Sequence, residues 1–523
     1  MRILGLPINF VKFSLGLKRS SLLVIVAVSI MAILLTILAS VAKRSSAHGV
    51  NPTTNEQQLC CVEEPIALRR MIGAYYNAKG DWESKLVFNN QGPNQIVVTP
   101  ILYSLKGGEF TAPPISIGGE SIHELDLNDL VLSAGPQFAE GSYEFTYTGH
   151  KLEMSGGLKI MNKKKSLMFD EQMSEPGIKF ASPRMEAVYA LPYKSAQASL
   201  ILTNTSERQI VVNGDVDTWL NAHETQIIHL NTKDEGAGAV SLNHNGGPGA
   251  LLAVIHVQES SKGFSATIGF NDPSKGASNQ LHGAGLKIGR SGRDVFTPII
   301  AVRNIGKDAS SVTGSIPYTT KGKADRIGLS ELSLSPGEIG FLAAPIRWRD
   351  ISATGAGLEV EYSGAPGSVI ASVISVSESG DKVFPLMMKD PEAVASSTGG
   401  YPWFAEDDYS SVVYIKNVTN KPQTFVLDVK YRQGMWGSGL KTVPPGETYV
   451  FDVKQARDNQ IKGSMGNTIP LDAESGHIYW TIFGTIEKGL IGRSEAVYAY
   501  GGMAQTYECQ PCACPDEGFR KSV

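Results

Sequence analysis

KLVFNNQGPNQIVV (Lys85 to Val98) aligns without gaps with SLILTNTSERQIVV (Ser199 to Val212), and both segments end in QIVV. The same pattern, an alternating apolar strand that ends on asparagine, returns as IIAVRNIGKDASSV (Ile299 to Val312) and VVYIKNVTNKPQTF (Val412 to Phe425). Alternation with a period of two is typical of a β-strand with one buried face. A repeat of this kind predicts one structural unit copied four times. The shared asparagines are Asn90, Asn204, Asn304 and Asn417.

A second landmark follows each asparagine. It is a turn that contains glutamate and opens another alternating strand, as in SPGEIGFLAA and PPGETYVFDV. Since the asparagines lie 114, 100 and 113 residues apart, each copy has the size of an immunoglobulin-like sandwich of about seven strands. A turn alone is sufficient to explain the four glutamates, which are Glu120, Glu224, Glu338 and Glu447.

The sequence therefore predicts a mainly β protein, with four immunoglobulin-like antiparallel β-sandwich units in tandem after one transmembrane helix. Runs such as SVIASVISV (Ser368 to Val376) are apolar on both faces, as central strands are. Short helical turns are expected at Asp126 to Val131 and Val453 to Asn459. The expected divisions are a cytoplasmic head (1–20), a transmembrane helix (21–42), a stalk (43–80) that ends in a short helix, unit 1 (81–192), unit 2 (193–273), a flexible glycine-rich linker (274–293), unit 3 (294–391), a short linker (392–400), unit 4 (401–506) and a cysteine-containing tail (507–523).

Residues Ser21 to Ala42 read SLLVIVAVSIMAILLTILASVA and carry no charge, proline or glycine. At 1.5 Å per residue a helix of this length measures about 33 Å, enough to cross a hydrocarbon core of about 30 Å. Four cationic residues precede the segment, so we expect a single-pass protein of the cell membrane with its N-terminus in the cytoplasm and its bulk extracytoplasmic, in the periplasm or at the cell surface. A cleaved signal peptide is the alternative, because Ser40-Val41-Ala42 fits a cleavage site.

Composition and motifs argue against several functions. The 523-residue chain has 47 basic and 51 acidic residues, and this net charge of −4 argues against nucleic acid as a partner. It contains no hydrolase elbow, phosphate loop or dinucleotide fingerprint. Neither His123-Glu124 nor His223-Glu224 has the second histidine that a zinc protease needs. We therefore expect a protein that is not an enzyme and has no cofactor.

One acidic segment fits a calcium loop in part. Asn213, Asp215 and Asp217 lie two residues apart and Glu224 follows at the twelfth position, as in helix-loop-helix calcium sites. Thr218 occupies the sixth position, where the tight turn requires glycine, and no helices are expected on either side. These residues are a calcium candidate set, with an acidic strand edge as the alternative.

Tryptophan supplies the candidates for ligand stacking. Trp403, in YPWF after a linker, and Trp436 could stack on sugar rings, since an indole combines a flat apolar face with a polar N–H. Trp219, Trp436 and Trp480 lie on or beside predicted strands, which favours a core position for them, so Trp403 is the better candidate for an exposed ring.

All five cysteines lie outside the predicted sandwiches. Exported thiols tend to pair, so a local C-terminal knot or a clasp between the two ends is expected, with a zinc site or unpaired thiols as alternatives. Because the count is odd, at least one thiol is free or bonded to another molecule. The disulfide candidates are Cys60, Cys61, Cys509, Cys512 and Cys514.

The alternating strand, the Asn-x-[Ser/Thr/Gly] turn and the [Pro/Gly]-Gly-Glu turn recur over about residues 81–506. In this the chain resembles membrane-anchored bacterial surface proteins with tandem immunoglobulin-like or fibronectin-like repeats. The resemblance implies a role in adhesion or scaffolding and no site residues. We expect a non-catalytic adhesion or scaffold protein whose partner is an envelope protein or glycan. The alternatives are a carbohydrate-binding module array of the cell envelope and an enzyme with a site between domains.

Overall fold

A computed structural model describes residues 66–508, except 151–152, 177–179, 232–235, 292–293, 381, 406–408, 433, 485–487 and 499–503. Over these residues the protein is mainly β, with 36 strands in eight antiparallel sheets. The apolar segment 21–42 lies outside the described residues, and no helix within them has the length and apolar character needed to cross a membrane. Along the chain the strands form four consecutive pairs of sheets, here called sheet pairs 1 to 4.

Sheet pair 1 places the first copy of the repeat in two antiparallel sheets. Its elements are β1 (Ala67–Asn77), β2 (Glu83–Asn90), β3 (Ile96–Ser104), β4 (Glu109–Thr111), β5 (Ile115–Ile117), β6 (Ser121–Asp126), α1 (Leu127–Ala134), a 3-10 turn (Pro136–Phe138), β7 (Glu140–Gly149), β8 (Met154–Asn162) and β9 (Leu167–Gln172). One sheet has the order β1-β7-β3-β4, with β5 beside β3, and the other has the order β6-β2-β8-β9.

Sheet pair 2 repeats this arrangement with eight strands. They are β10 (Arg184–Ala190), β11 (Gln197–Asn204), β12 (Ile210–Gly214), β13 (Thr218–Leu220), β14 (Thr225–Leu230), β15 (Ala237–His244), β16 (Leu251–Glu259) and β17 (Phe264–Gly269), with 3-10 turns at Ser260–Lys262 and Pro273–Lys275. The sheets have the orders β10-β15-β12-β13 and β14-β11-β16-β17.

Sheet pair 3 has the same core strands and two additional short ones. Its elements are β18 (Gln280–Ala284), β19 (Gly289–Ser291), β20 (Asp294–Asn304), β21 (Ser310–Thr320), β22 (Lys323–Gly328), β23 (Leu332–Leu334), β24 (Ile339–Leu342), a 3-10 turn (Ile346–Asp350), β25 (Gly355–Tyr362), β26 (Val369–Ser377), β27 (Val383–Met387) and α2 (Pro391–Val394). The orders are β18-β25-β21-β22, with β23 beside β21, and β19-β20-β26-β27, with β24 beside β20.

Sheet pair 4 completes the series. Its elements are β28 (Thr398–Phe404), β29 (Tyr409–Asn417), β30 (Gln423–Tyr431), β31 (Gly434–Gly437), β32 (Lys441–Val443), β33 (Thr448–Asp452), α3 (Val453–Asp458), β34 (Ser475–Ile482), β35 (Leu490–Tyr498) and β36 (Ala504–Glu508). The orders are β28-β34-β30-β31, with β32 beside β30, and β33-β29-β35-β36.

The fold of each sheet pair resembles an immunoglobulin domain only in part. In an immunoglobulin domain the first two strands lie in one sheet, whereas here the first two strands of pair 1 lie in opposite sheets. The resemblance therefore extends to the two-sheet arrangement and not to the strand order.

The N-terminal boundary differs from the expectation. The segment ALRRMIGAYY, expected as a short helix at the end of a stalk over 43–80, is strand β1. Met71 to Tyr76 are buried because both faces of this strand are covered. RMEAVYA, expected at the end of unit 1 (81–192), is β10, which pairs with β15 and so opens sheet pair 2. A similar segment in the last copy, RSEAVY (Arg493 to Tyr498), lies in β35, so the two similar segments occupy different positions in their copies.

The expected flexible linker over 274–293 is also part of the fold, since it contains β18 and β19 of sheet pair 3. Its glycines permit close packing: Gly289 has φ +67°, and a Cβ there would lie 2.3 Å from the carbonyl oxygen of Ile351. The short linker expected at 392–400 already includes the start of β28. Glycine content was therefore a poor guide to flexibility here.

Other local expectations are confirmed. The two expected helical turns are α1 and α3, and each begins at an aspartate whose side chain accepts a backbone N–H of the first turn. Every residue of β26 is buried. One of its faces lies in the core of sheet pair 3, while Ile370, Ile374 and Val376 pack into the core shared by pairs 1 and 2.

The four repeat asparagines are fully buried and make the same contacts in each copy. Asn304 Nδ2 donates to the carbonyl oxygens of Asp308 at 2.7 Å and Leu334 at 2.9 Å. Its Oδ1 accepts the N–H of Gly306 at 2.9 Å. Each asparagine thus joins the turn after its own strand to the turn that carries the repeat glutamate. Equivalent bonds are made by Asn90, Asn204 and Asn417.

The sheet pairs contact one another in a closed cycle. The core of pair 2 is continuous with that of pair 1. Pair 4 in turn packs against pair 1, since Val87 of β2 belongs to the core cluster of pair 4 and Lys159 lies 4.7 Å above the Phe404 ring. The described residues, 66–508 apart from the gaps given above, accordingly lie in one compact unit.

Candidate functional site

Both tryptophans predicted to stack on a ligand are buried. Trp403 is 0% exposed and its Nε1 donates to the carbonyl oxygen of Lys430 at 2.8 Å. Trp436 is 3% exposed, donates to the carbonyl oxygen of Ile461 at 2.9 Å and stacks on Phe451. Both indoles therefore fill the core of sheet pair 4, and the prediction that they bind a ligand is corrected. The reason is that both faces of β28 are covered at this point, since Pro402 and Phe404 on either side of Trp403 are buried as well.

The calcium candidates point to separate partners. Asp215 accepts the N–H of Ser241 at 2.7 Å, and Asp217 accepts that of Gly214 at 3.3 Å. Glu224 bonds to Asn221 and Lys106, while Asn213 is exposed on β12. Over the described residues, no group of three or more His, Cys, Asp or Glu is placed to hold a metal ion. The alternative of an acidic strand edge fits these positions better. The five cysteines lie outside the described residues, so their pairing stays a prediction.

Three of the four repeat glutamates lie at contacts between sheet pairs. Glu224 of pair 2 forms an ion pair with Lys106 of pair 1, with 3.1 Å between Oε1 and Nζ. Glu447 of pair 4 accepts the hydroxyl of Thr319 in pair 3 at 3.4 Å, and Glu120 of pair 1 pairs with Lys430 of pair 4. In each case the partner lies on, or just after, the strand that follows the repeat asparagine in its own sheet pair, which is β3, β21 or β30. The glutamates thus have a shared role that the turn alone does not explain.

The contact between pairs 2 and 3 uses a different residue. Glu186, in β10, is fully buried and lies between two arginines. Arg303 of pair 3 approaches it at 3.1 Å and Arg184 at 2.7 Å. Glu338, the repeat glutamate of pair 3, is exposed, and its carboxylate accepts the N–H of Ser335 in its own turn at 2.8 Å.

The contact between pairs 3 and 4 buries two charged groups. In the first, the fully buried Lys416 donates to Glu359 at 2.8 Å, and Arg326 contacts the same carboxylate. Burial alone would raise the pKa of Glu359, but Lys416 outweighs it and the pKa is lowered. Burial also lowers the pKa of the neighbouring His282 to about 4. The result is a neutral histidine beside a carboxylate that is ionised and paired.

The second group surrounds Glu495. Its Oε2 accepts the Tyr414 hydroxyl at 2.9 Å and lies 3.2 Å from Lys287 Nζ, and Arg493 lies 2.7 Å from its Oε1. Burial would lower the pKa of Lys287, but the Glu495 carboxylate outweighs it and the pKa is raised. Burial and Glu495 also raise the pKa of Tyr414. Lys287 is therefore charged and Tyr414 protonated at neutral pH, so neither is poised as a base or nucleophile.

A buried histidine that stacks on an aromatic ring lies at the contact between pairs 1 and 2, and another lies at the contact between pairs 4 and 1. His256 of pair 2 stacks on Phe169 of pair 1 with ring centroids 4.0 Å apart. His477 of pair 4 is fully buried and stacks on Tyr479, whose hydroxyl donates to the carbonyl oxygen of Gln91 in pair 1 at 3.4 Å. Burial lowers the pKa of both histidines to about 3. The two rings are therefore neutral packing elements.

The described contacts thus bury matched charges and neutral histidines between the sheet pairs. Such an arrangement is suited to fix geometry, because an unmatched charge in the same place would be costly. The chain matches no protein-family model, and no curated protein is detectably similar to it in sequence.

Sequence reasoning missed these contacts and one surface residue. Trp219, for which the sequence favours a core position, is 62% exposed. A signal was available in the repeat: the equivalent strand position holds Ser116, Ser333 and Thr442 in the other copies. A position where the fold accepts a small hydroxyl residue is not a core position.

Proposed function

We propose that this chain is a non-catalytic, membrane-anchored extracytoplasmic scaffold whose four sandwich units form one rigid body that presents surfaces to an envelope partner. The observation that carries this proposal is the closed cycle of contacts. Pair 4 meets pair 1 through Lys430 and Glu120, through Lys159 and Phe404, and through apolar packing around Val87.

The charged contacts support rigidity. A buried ion pair whose partners lie in different units is satisfied only when those units are correctly docked. Opening the contact at Lys416 and Glu359 or at Arg303 and Glu186 would expose charged groups that are buried and paired when closed. The four units therefore behave as a single presenting body, unlike beads on flexible linkers.

The membrane anchor remains part of the proposal. The apolar segment 21–42 is long enough to span a bilayer, and the cationic residues before it favour a cytoplasmic N-terminus. With that orientation the strand-rich body lies outside the cytoplasm. A rigid body held close to a membrane presents its surfaces at a high effective concentration to other envelope components.

An enzyme with a site between units is less well supported. The group around Glu495 is the polar cluster that such a site would use, yet Lys287 and Tyr414 are both bonded to the same carboxylate. A catalytic base needs a pKa near the working pH, and the pKa of Lys287 is shifted away from it.

The test uses the full chain in a bacterial host. Alkaline phosphatase, which is active only outside the cytoplasm, is fused after Val523 and, as a matched control, after Ser20. We expect activity from the first fusion only, in the membrane fraction. Capture of envelope protein by the full chain is then compared with the variants Lys430→Glu and Glu120→Lys/Lys430→Glu. Loss of capture in the single variant and its recovery in the double variant support a closed presenting body. An inactive C-terminal fusion, or capture that ignores the charge reversal, contradicts the proposal.

A further inference from the structure

One face of sheet pair 2 is unlike its three counterparts. On the outer face of the sheet β10-β15-β12-β13, Trp219 lies directly opposite Val211 on the neighbouring strand. Trp219 is 62% exposed and Val211 is 39% exposed. These two side chains form an apolar step at the open edge of the sheet.

The repeat provides three internal controls for this step. The same cross-strand pair in the other units is Ser311 with Ser333, Thr424 with Thr442, and Val97 with Ser116. Because three units fold with a small hydroxyl residue in place of the indole, folding does not require a tryptophan there. The exposed indole of unit 2 therefore calls for another explanation, and contact with a ligand supplies one.

Amide side chains continue the face beside the step. Asn213 lies opposite Asn243 in the register of β12 and β15, and Asn245 follows two residues further along. All three are exposed. The side-chain amides of Asn213 and Asn243 make no hydrogen bond to the described part of the protein. The amides of Asn213 and Asn243 each offer both a donor and an acceptor in one plane, whereas Asn245 Oδ1 already accepts the N–H of Val211 at 2.8 Å and Asn245 offers its Nδ2 donor.

The charged groups nearby already form bonds within the sheet. Asp215 accepts the N–H of Ser241 at 2.7 Å and Asp217 accepts the N–H of Gly214 at 3.3 Å. Arg184 pairs with Glu186 at 2.7 Å. What remains for a ligand is an indole, an aliphatic side chain and uncharged amides, which complements an uncharged ligand rich in hydroxyl groups.

We propose that this face, made of Val211, Trp219, Asn213, Asn243 and Asn245, binds a neutral saccharide. The indole packs against the C–H face of a sugar ring, and the amides bond to its hydroxyls. With strands about 4.8 Å apart, the face spans about 10 Å from β13 to β15, which suits a short oligosaccharide. A neutral saccharide is a more specific ligand for the proposed scaffold. This site rests on the proposed function only in that the body presents a binding surface.

The experiment uses the full chain in detergent micelles. Unbranched neutral hexasaccharides of glucose, mannose and N-acetylglucosamine are titrated calorimetrically, with an acidic hexasaccharide of galacturonic acid for comparison. Trp219→Ser installs the residue found in units 1 and 3, and Asn213→Thr installs the threonine that follows QIVV in unit 1. The matched control Ser333→Trp places an indole at the same position of unit 3. Thermal unfolding of each variant checks that the fold is kept.

We expect at least one neutral hexasaccharide to bind and the acidic one not to bind. Trp219→Ser should weaken binding about tenfold or more, as the loss of one stacking contact does, and Asn213→Thr about threefold. Ser333→Trp should add no second site.

Three results would each overturn the assignment. The first is that none of the neutral hexasaccharides binds at concentrations up to about 10 mM. The second is an unchanged affinity in Trp219→Ser, and the third is equal binding at the new indole of Ser333→Trp. Retention of an envelope protein through Trp219, without sugar binding, would also overturn it. Any of these refutes the saccharide site alone, because the fusion and charge-reversal tests of the scaffold do not involve this face.

Discussion

Replacing His256 by phenylalanine should make the protein less sensitive to acid. The imidazole lies at the contact of sheet pairs 1 and 2, stacked on Phe169 at 4.0 Å and edge-on to Tyr75 at 5.7 Å. Its Nε2 has no hydrogen-bond partner among the described residues. Phenylalanine keeps the stacking ring and removes an unpartnered polar atom, so we expect the fold to tolerate it.

The magnitude follows from the pKa of His256. Burial lowers this pKa from the ordinary value of 6.5 to about 3, so the folded protein keeps the ring neutral where an unfolded chain would protonate it. Below pH 6.5 the unfolded state therefore binds more protons, and the free energy of unfolding falls by about 1.4 kcal/mol per pH unit. Between pH 7 and pH 5 this amounts to about 2 kcal/mol, and the loss continues to about pH 3.

The assay is denaturant unfolding of the full chain at pH 7 and pH 5. Wild type should lose stability as the pH falls, and His256→Phe should lose about 2 kcal/mol less. The control is His229→Gln, which removes an exposed histidine instead of the buried one. An equal loss in wild type and His256→Phe would refute the reasoning.

Three further predictions concern buried contacts. Lys416→Met should lower the free energy of unfolding by about 3 kcal/mol, because it leaves the buried Glu359 with fewer cations. Lys430→Met should lower it by less than about 1 kcal/mol. Chemical denaturation measures both variants, and equal effects would contradict this ranking. Asn304→Ala should cost about 1–3 kcal/mol by leaving the buried Leu334 carbonyl unpaired and removing the bond to the turn carbonyl of Asp308, and a drop in melting temperature no larger than that of an exposed asparagine variant would contradict this. Asn204 and Asn417 begin glycosylation sequons, but both are fully buried, so peptide mass spectrometry of protein folded in a eukaryotic secretory pathway should find them unmodified.

The repeat made much of the fold predictable. Strand alternation and the recurring asparagines placed the four copies, because each asparagine has one structural task within its own copy. The capped turns α1 and α3 were predictable for the same reason, since Asp126 and Asp452 act on neighbouring backbone groups.

What could not be predicted depends on partners distant in sequence. Alternation predicts that one face of a strand is buried. It does not indicate that the indole N–H of Trp403 donates to the carbonyl oxygen of Lys430. The glycine-rich composition around Gly289 indicates a flexible segment, and only the structure shows that Gly289 packs closely against the backbone of Ile351. The role of Glu120 depends on a residue of the last sheet pair, and no local pattern indicates which copy contacts which.

Small-angle neutron scattering of the full chain in contrast-matched detergent tests the closed cycle most directly. A single compact body of about 460 residues has a radius of gyration of about 23 Å, whereas four separate units in a row would give about 40 Å. The cycle of contacts predicts a value close to the first, unchanged between low and high salt once detergent is matched. A value near the second, or a broad distribution of distances between pairs 1 and 4, would contradict it.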